Sequence, residues 1–259
     1  MSYVHIPLWR LGIAALLVVV AMLLSRASRL SLEKELGLGA VRAAAQLVAI
    51  GYALRVLFAS DHPAAVFAVL LVMWLVAAWT SSSRVPLGPS RRVLFPYAFT
   101  AIGAGAVVAL VPVFVLVIPP RPWFEPRYLI PIGGMMLSSA MNVVAQVFER
   151  LFASAKAEAA TLEQALALGA SPADALAPHV RSSLRAALIP TINGLVTVGL
   201  VALPGMMTGQ IVSGAEPEQA VRYQVVVMYQ LVVVAAVAGF AAAWFARRLI
   251  FNDDAQLRS

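Results

Sequence analysis

Long apolar segments recur along the whole chain and constrain its fold more than any other feature. A helix needs roughly 20 apolar residues to cross the hydrocarbon core of a bilayer. Only 12% of the 259 residues are charged and the mean hydropathy is +0.87, values typical of polytopic membrane proteins. The sequence therefore predicts an all-α membrane protein, a single transmembrane domain over residues 1–259 with about seven transmembrane helices. The predicted spans are residues 7–24, 37–58, 64–80, 93–118, 129–148, 191–212 and 224–246.

The first two segments leave some choice of interpretation. The first continues to Leu24 and is followed by Arg26 and Arg29 without a clear small-residue cleavage site, which favours a retained span over a signal peptide. The second contains Arg42 and Gln46, four residues apart on one helix face. Because polar groups in a membrane are costly, that helix can equally face protein, a cavity or lipid.

Lysine and arginine concentrate in alternate connections between the spans, which predicts the orientation of the chain. Positively charged loops stay in the cytoplasm. We therefore expect a multi-pass protein of the inner (plasma) membrane with its N-terminus outside and its C-terminus in the cytoplasm. These clusters also account for the net charge of +7 without nucleic-acid binding. They are Arg26, Arg29 and Lys34; Arg84, Arg91 and Arg92; Arg150, Lys156, Arg181 and Arg185; and Arg247 and Arg248.

Enzymatic chemistry has little support in the sequence. The chain has no cysteine, and its three histidines are scattered, so neither thiolate nor zinc-type sites are expected. A P-loop needs Gly-Lys-Ser/Thr, yet Lys34 and Lys156 are followed by Glu35 and Ala157. We expect no cofactor on this chain, and ATP could power transport only through contact with another protein.

The longest hydrophilic segment, residues 150–190, lies between spans five and six and is predicted to be cytoplasmic. Its first part is rich in Ala, Leu and Glu, which favours a helix, and Gly169 suits the position just past that helix. Ser171 as N-cap, Pro172 at the first helical position and Asp174 three residues after the cap predict the start of a second helix.

Leucines in this loop suggest a protein contact. On so small an element they are expected to form an apolar surface exposed to water, which usually marks a partner site. The leucines are Leu162, Leu166, Leu168 and Leu176.

The loop resembles the one that docks onto the ATPase subunit in ABC importers. "EQALALG" has Glu163 and Gly169 at the spacing of the Glu-Ala-Ala-x-x-x-Gly pattern, although Gln164 stands where that pattern has Ala. "GASP" follows, and "LIP" ends the stretch. The resemblance implies an ABC ATPase as partner and ATPase-coupling residues at Glu163, Gly169, Ala170, Ser171 and Pro172.

Three further stretches are similar to the FetB-type family of iron-export ABC permeases, which includes plant permeases linked to aluminium tolerance. They are "IPIGGMMLSSAMN" (130–142), "LPGMMTGQIVSG" (203–214) and "YQVVVMYQ" (223–230). The resemblance implies a permease that pairs with a second copy of itself. ATP and Mg²⁺ would bind to separate ATPase subunits, and the cargo leaving the cytoplasm would be a metal ion, iron above all, or a related solute.

Spans five and six each carry Pro, then Gly, then Met-Met, a pattern that in transporters marks unwound segments lining a binding site. Small residues that allow close packing and methionines that fill gaps explain it equally well. Thioethers prefer copper(I), so the methionines alone do not predict iron, and no metal ligands are assigned. Nearby amide groups either bind cargo or bond between helices. The candidate pathway residues are Met135, Met136, Met141, Asn142, Gln146, Glu149, Met206, Met207 and Gln210.

A stand-alone channel or secondary transporter is the alternative function. Proton- or sodium-coupled carriers usually need acidic residues within the membrane. The core of every predicted span lacks Asp and Glu, which favours a transporter driven by an ATPase.

Overall fold

The computed structural model describes residues 7–58, 62–252 and 256–257. Most of these residues are helical and none of them forms a β-strand, as expected for an all-α membrane protein. Where Pro112 ends the fourth helix, a π-helical segment, Val113–Val117, follows directly. The helices are α1 (Leu8–Ala27), α2 (Glu33–Phe58), α3 (Pro63–Ser82), α4 (Arg91–Pro112), α5 (Pro126–Ala157), α6 (Ala159–Ala167), α7 (Pro172–Thr197), α8 (Gly205–Val212) and α9 (Pro217–Ile250).

Six described helices, α1 to α5 and α9, are long and apolar enough to cross a membrane. The predicted span at 191–212 is wrong as a continuous helix, because α7 ends at Thr197 and α8 begins only at Gly205. Gly199 between them has φ +82°, a left-handed conformation that interrupts a helix. Pro204 then disfavours helical geometry at the residue before it. The break supports the interruption expected at Pro204, but not a seventh full-length span. The same pattern at Pro131 does not interrupt α5, which is one continuous helix there.

The chain divides into two compact units, residues 1–62 and 63–259. This division by contacts does not test the prediction of a single transmembrane domain over residues 1–259, which stays a prediction. In the first unit, α1 and α2 form a hairpin. The Ser25 hydroxyl donates to the Glu33 carboxylate and accepts from the Leu32 N–H, each at 3.1 Å, which fixes the turn between the helices. Arg42 and Gln46 are exposed on α2.

In the second unit, α4 lies between α3 and α9. The Trp74 ring of α3 stacks on Phe99 at 3.9 Å, and its indole N–H donates to the Phe99 carbonyl at 2.9 Å. On the other side, a Cβ at Gly105 would lie 2.9 Å from the Val234 carbonyl oxygen. Glycine at this position therefore allows α4 and α9 to pack with their backbones in close contact.

The core of the second unit is centred on one face of α5, which packs against α3, α4, α7 and α9. Close packing of apolar side chains on that face holds the helices together. Its fully buried side chains include Ile132, Met136, Val144, Val147, Phe148 and Leu151.

The basic clusters of the second unit lie at one end of it. Tyr128 and Tyr223 stack at 6.0 Å, so α5 and α9 begin at the same end and finish at the other. The Gln230 amide donates to the Ala109 carbonyl and Tyr97 contacts Phe245, so α4 runs antiparallel to α9. The basic residues predicted to share one side of the membrane therefore lie at the same end of the second unit. Which side of the membrane that end faces stays a prediction. They are Arg84, Arg91, Arg92, Arg150, Lys156, Arg247 and Arg248.

Candidate functional site

The corner between α6 and α7 contains the predicted coupling residues. The Gly169 N–H donates to the Leu166 carbonyl at 2.9 Å and the Ala170 N–H to the Ala165 carbonyl at 3.0 Å. This is the double hydrogen bond of a Schellman helix end, and it needs a left-handed residue. Gly169 supplies that conformation with φ +93°, which confirms the predicted end of the first loop helix.

The predicted start of the second loop helix is also confirmed. The Ser171 hydroxyl accepts the Asp174 backbone N–H at 3.2 Å and donates to the Asp174 carboxylate. Pro172 occupies the first helical position, where its missing N–H costs nothing. Two capped helix ends thus define the corner, with Glu163, Gly169 and Ser171 exposed on it.

The leucines of the loop do not form the predicted exposed surface. Leu162 is 2% exposed and Leu176 is fully buried, because α6 folds back against α5 and α7. Leu166 is half-buried in the same core. Only Leu168, 89% exposed beside Gly169, keeps its side chain in the open, so the predicted apolar surface is reduced to one residue at the corner.

A polar stripe along α5 is the most unusual feature of the second unit. It lies opposite the buried face of α5, and its members recur every three or four residues, so they share one side of the helix. Asn142 is exposed near the middle of a helix that is long and apolar enough to cross a membrane. Exposed or half-buried side chains form the stripe, at Met135, Ser138, Asn142, Gln146 and Glu149.

The other candidate pathway residues lie elsewhere. Met136 points to the opposite side of α5 and is fully buried, which suits packing. Met141 is half-buried beside the stripe. Met206, Met207 and Gln210 belong to α8, which packs on α9. The Gln210 Oε1 atom is buried without a hydrogen-bond partner, so this amide oxygen is available to a ligand or water.

A cavity of about 920 Å³ opens at the basic end of the stripe, between α5, α6 and α7. Glu149 belongs to both the stripe and the cavity wall. Across the cavity, His179 of α7 lies 3.8 Å from the Glu158 carboxylate at the α5–α6 break. Glu149 therefore joins the stripe to the cavity, whose wall includes Ala165 of α6 and Ala175 of α7 near the α6–α7 corner.

Several residues of this surface are absent from the sequence predictions. The sequence could have predicted Ser138, since it lies four residues before Asn142 and therefore on the same helix face. Glu158, His179 and Ser182 line the cavity because α6 and α7 fold back, which no local pattern reveals. Within the described part of the chain, no group of three His, Cys, Asp or Glu side chains is arranged to hold a metal ion.

Comparison with known proteins gives full-length matches. A model of an uncharacterised protein family, UPF0014, matches residues 8–251. The probable iron export permease protein FetB of Escherichia coli K12 is 36% identical over 249 residues, or 95% of this chain and 93% of the relative. The UPF0014 membrane protein slr1647 of Synechocystis is 36% identical over 249 residues, covering 96% and 94%. Protein ALUMINUM SENSITIVE 3 of Arabidopsis thaliana is 33% identical over 246 residues, covering 95% and 88%. No solved structure matches the chain significantly.

Proposed function

Because the chain belongs to the UPF0014 family of multi-pass membrane proteins, we propose that it is the permease subunit of an ABC exporter that moves a metal ion out of the cytoplasm. Iron is the leading cargo, since the FetB relative is named as a probable iron exporter and shares 36% identity over nearly the whole chain. The chain is then a transport subunit and not an enzyme, and a separate ATPase subunit binds ATP and Mg²⁺.

The polar stripe of α5 is the observation that carries the proposed pathway. Burying an unpaired amide in an apolar medium costs about 1–3 kcal/mol, so Asn142 and Gln146 are unfavourable in contact with lipid tails. A second copy of the chain, with its own stripe facing the first, would cover them and enclose a polar route. Hydroxyl and amide oxygens along that route can replace some of the water around a cation without trapping it.

The inner mouth of the route follows from the cavity. The wall carries the carboxylates of Glu149 and Glu158, which attract cations, and the guanidinium of Arg150 beside them. Because α6 forms part of the same wall, a movement of the α6–α7 corner would change the shape of this mouth. An ATPase docked at Glu163, Gly169, Ala170, Ser171 and Pro172 would thereby control access to the stripe.

The absence of cysteine from the chain allows a direct test of the pathway. Single cysteines at Ser138, Asn142 and Gln146 should react with a small hydrophilic maleimide in membranes, because thiolates form in water and not in lipid. The matched control is Val108→Cys, on the exposed apolar face of α4, which should not react. Equal protection at all four positions would contradict a hydrated stripe.

The ATPase partner requires its own experiment. Purification of the tagged chain from its native host in mild detergent, followed by mass spectrometry, should recover an ABC ATPase. Glu163→Lys should release that ATPase while leaving membrane insertion intact, because Glu163 is exposed and outside the core. A homogeneous chain without an ATPase would instead favour the channel or secondary transporter.

A further inference from the structure

Two arginine–tryptophan pairs mark the basic end of the second unit. The Arg91 guanidinium lies over the Trp79 ring, 4.3 Å from its centroid, and that of Arg248 lies 3.8 Å from the Trp244 centroid. Trp79 is 54% exposed and Trp244 is 43% exposed. Stacking on an indole holds each guanidinium by its face and leaves its N–H edge free.

Both pairs lie toward the basic end of the second unit, at similar positions along the helix axes. Tyr97 of α4 contacts Phe245 of α9 with ring centroids 5.2 Å apart. Arg91 precedes Tyr97 by about 9 Å of helix and Arg248 follows Phe245 by about 4.5 Å, at 1.5 Å per residue. Because α4 is antiparallel to α9, both displacements lead toward the basic end. Trp79 of α3 lies near the same end, because its ring contacts Phe95 of α4 edge-on.

The surface above these pairs is apolar. Val107 of α4, Val76 of α3 and Phe240 of α9 are exposed large hydrophobic side chains. An exposed apolar face that ends in tryptophans and arginines is the pattern of a protein surface crossing from lipid tails to headgroups. Among the described residues, neither Arg91 nor Arg248 forms an ion pair with a carboxylate.

We propose that the Arg91–Trp79 pair and the Arg248–Trp244 pair each bind the headgroup of an anionic phospholipid, whose acyl chains lie along the exposed apolar side chains of α3, α4 and α9. Guanidinium edges bind phosphate oxygens through charge-assisted, often bidentate hydrogen bonds. The indoles position these edges at headgroup depth. The proposal does not depend on the exporter function, because it uses none of the pathway or coupling residues.

Tryptophan quenching by brominated lipids tests the site in the full-length protein. The purified chain is reconstituted with brominated phosphatidylglycerol or brominated phosphatidylcholine, and relative affinity is read from the fluorescence lost. Phosphatidylglycerol should be preferred, and Trp79→Phe with Trp244→Phe should remove most of the difference in quenching. Arg91→Gln and Arg248→Gln should each lower the preference about tenfold, because each removes charge-assisted hydrogen bonds to the phosphate.

A matched control separates a site from the general attraction of a basic surface. Lys156→Gln with Arg181→Gln removes two exposed charges of another predicted cytoplasmic cluster. Within the described part of the chain, neither side chain stacks on a tryptophan. This pair should change the preference less than twofold. An equal loss in both double variants would overturn the site, as would an undiminished preference in Arg91→Gln with Arg248→Gln. If that variant is unstable, Arg91→Lys with Arg248→Lys takes its place, because it keeps both charges. An undiminished preference for phosphatidylglycerol in the lysine variant would equally overturn the role of the stacked guanidiniums.

Discussion

At the residue scale, Gly169 shows how one backbone conformation shapes the corner that we propose as the coupling element. Its φ of +93° closes the end of α6 and turns the chain toward Ser171, where α7 begins. A Cβ at Gly169 would meet open space, so the constraint comes from the backbone and not from packing. Its effects can therefore be separated from core stability.

Replacement of Gly169 by alanine should weaken ATPase binding more than it weakens the fold. A left-handed alanine costs about 1–2 kcal/mol, which is expected to shift or fray the corner. Gly214→Ala is the matched control, because Gly214 has φ +100° and equally open surroundings in another turn. Both variants should lose similar thermal stability in detergent, and only Gly169→Ala should lose the co-purifying ATPase. Equal retention of the ATPase by both would remove the corner from the coupling mechanism.

The neighbouring methionines Met135 and Met136 should behave differently. Met136 is fully buried in the core, so Met136→Ala leaves a cavity and should destabilise the chain by about 2–5 kcal/mol. Met135→Ala, at the half-buried stripe, should cost less. Thermal unfolding in one detergent measures both losses. If Met135→Ala were the more damaging variant, the two faces of α5 would have been assigned the wrong way round.

At the element scale, α5 combines two functions in one helix. One face forms the centre of the bundle, and the other carries the polar groups of the stripe from Ser138 to Glu149. A lipid-facing helix would be apolar on that side, so the stripe indicates water or another protein there. Close packing of α3, α4 and α9 around the buried face fixes the direction in which the stripe points.

Gly105→Ala should disrupt the packing of α4 on α9. The added Cβ would lie 2.9 Å from the Val234 carbonyl oxygen, a backbone atom that cannot rotate away. Overpacking of this kind costs about 1–3 kcal/mol, partly offset by the better helix propensity of alanine. Gly194→Ala in α7 meets nothing within 4 Å and should be neutral or stabilising by up to about 1 kcal/mol. The melting temperatures of the two variants in detergent test this prediction. Equal values would mean that α4 and α9 pack less closely than the structure shows.

At the scale of the whole molecule, the distribution of charge predicts how the chain sits in the membrane. The α3–α4 connection lies at the basic end of the second unit, and the α8–α9 connection lies at the opposite end. Positively charged ends face the cytoplasm. On the same rule, the α6–α7 corner is predicted to lie in the cytoplasm, where an ATPase could reach it.

Cysteine labelling in intact cells should reveal this orientation. Leu87→Cys, exposed in the α3–α4 connection, should react with a membrane-impermeant maleimide only after the cells are opened. Ala215→Cys, exposed in the α8–α9 connection, should react without opening. The reverse pattern would invert the topology and remove the corner from contact with a cytoplasmic ATPase.

The sequence alone predicted much of the local structure. Segment length and hydropathy identified all six long helices, since a bilayer imposes length and composition on any helix that spans it. However, α5 and α9 extend well beyond the predicted spans 129–148 and 224–246. Capping chemistry identified the α6–α7 corner, because Gly169, Ser171 and Pro172 act on backbone atoms only a few residues away.

Tertiary structure decided what no local pattern contains. It divided 191–212 into α7 and α8, and it buried Leu162 and Leu176, which were expected in water. It also separated Met136 from Met135, because only packing against other helices determines which side of α5 is inside. Apolar residues look alike in sequence whether they meet lipid, core or partner, since all three environments favour the same side chains. The cavity and the arginine–tryptophan pairs therefore became visible only once the helices were packed together.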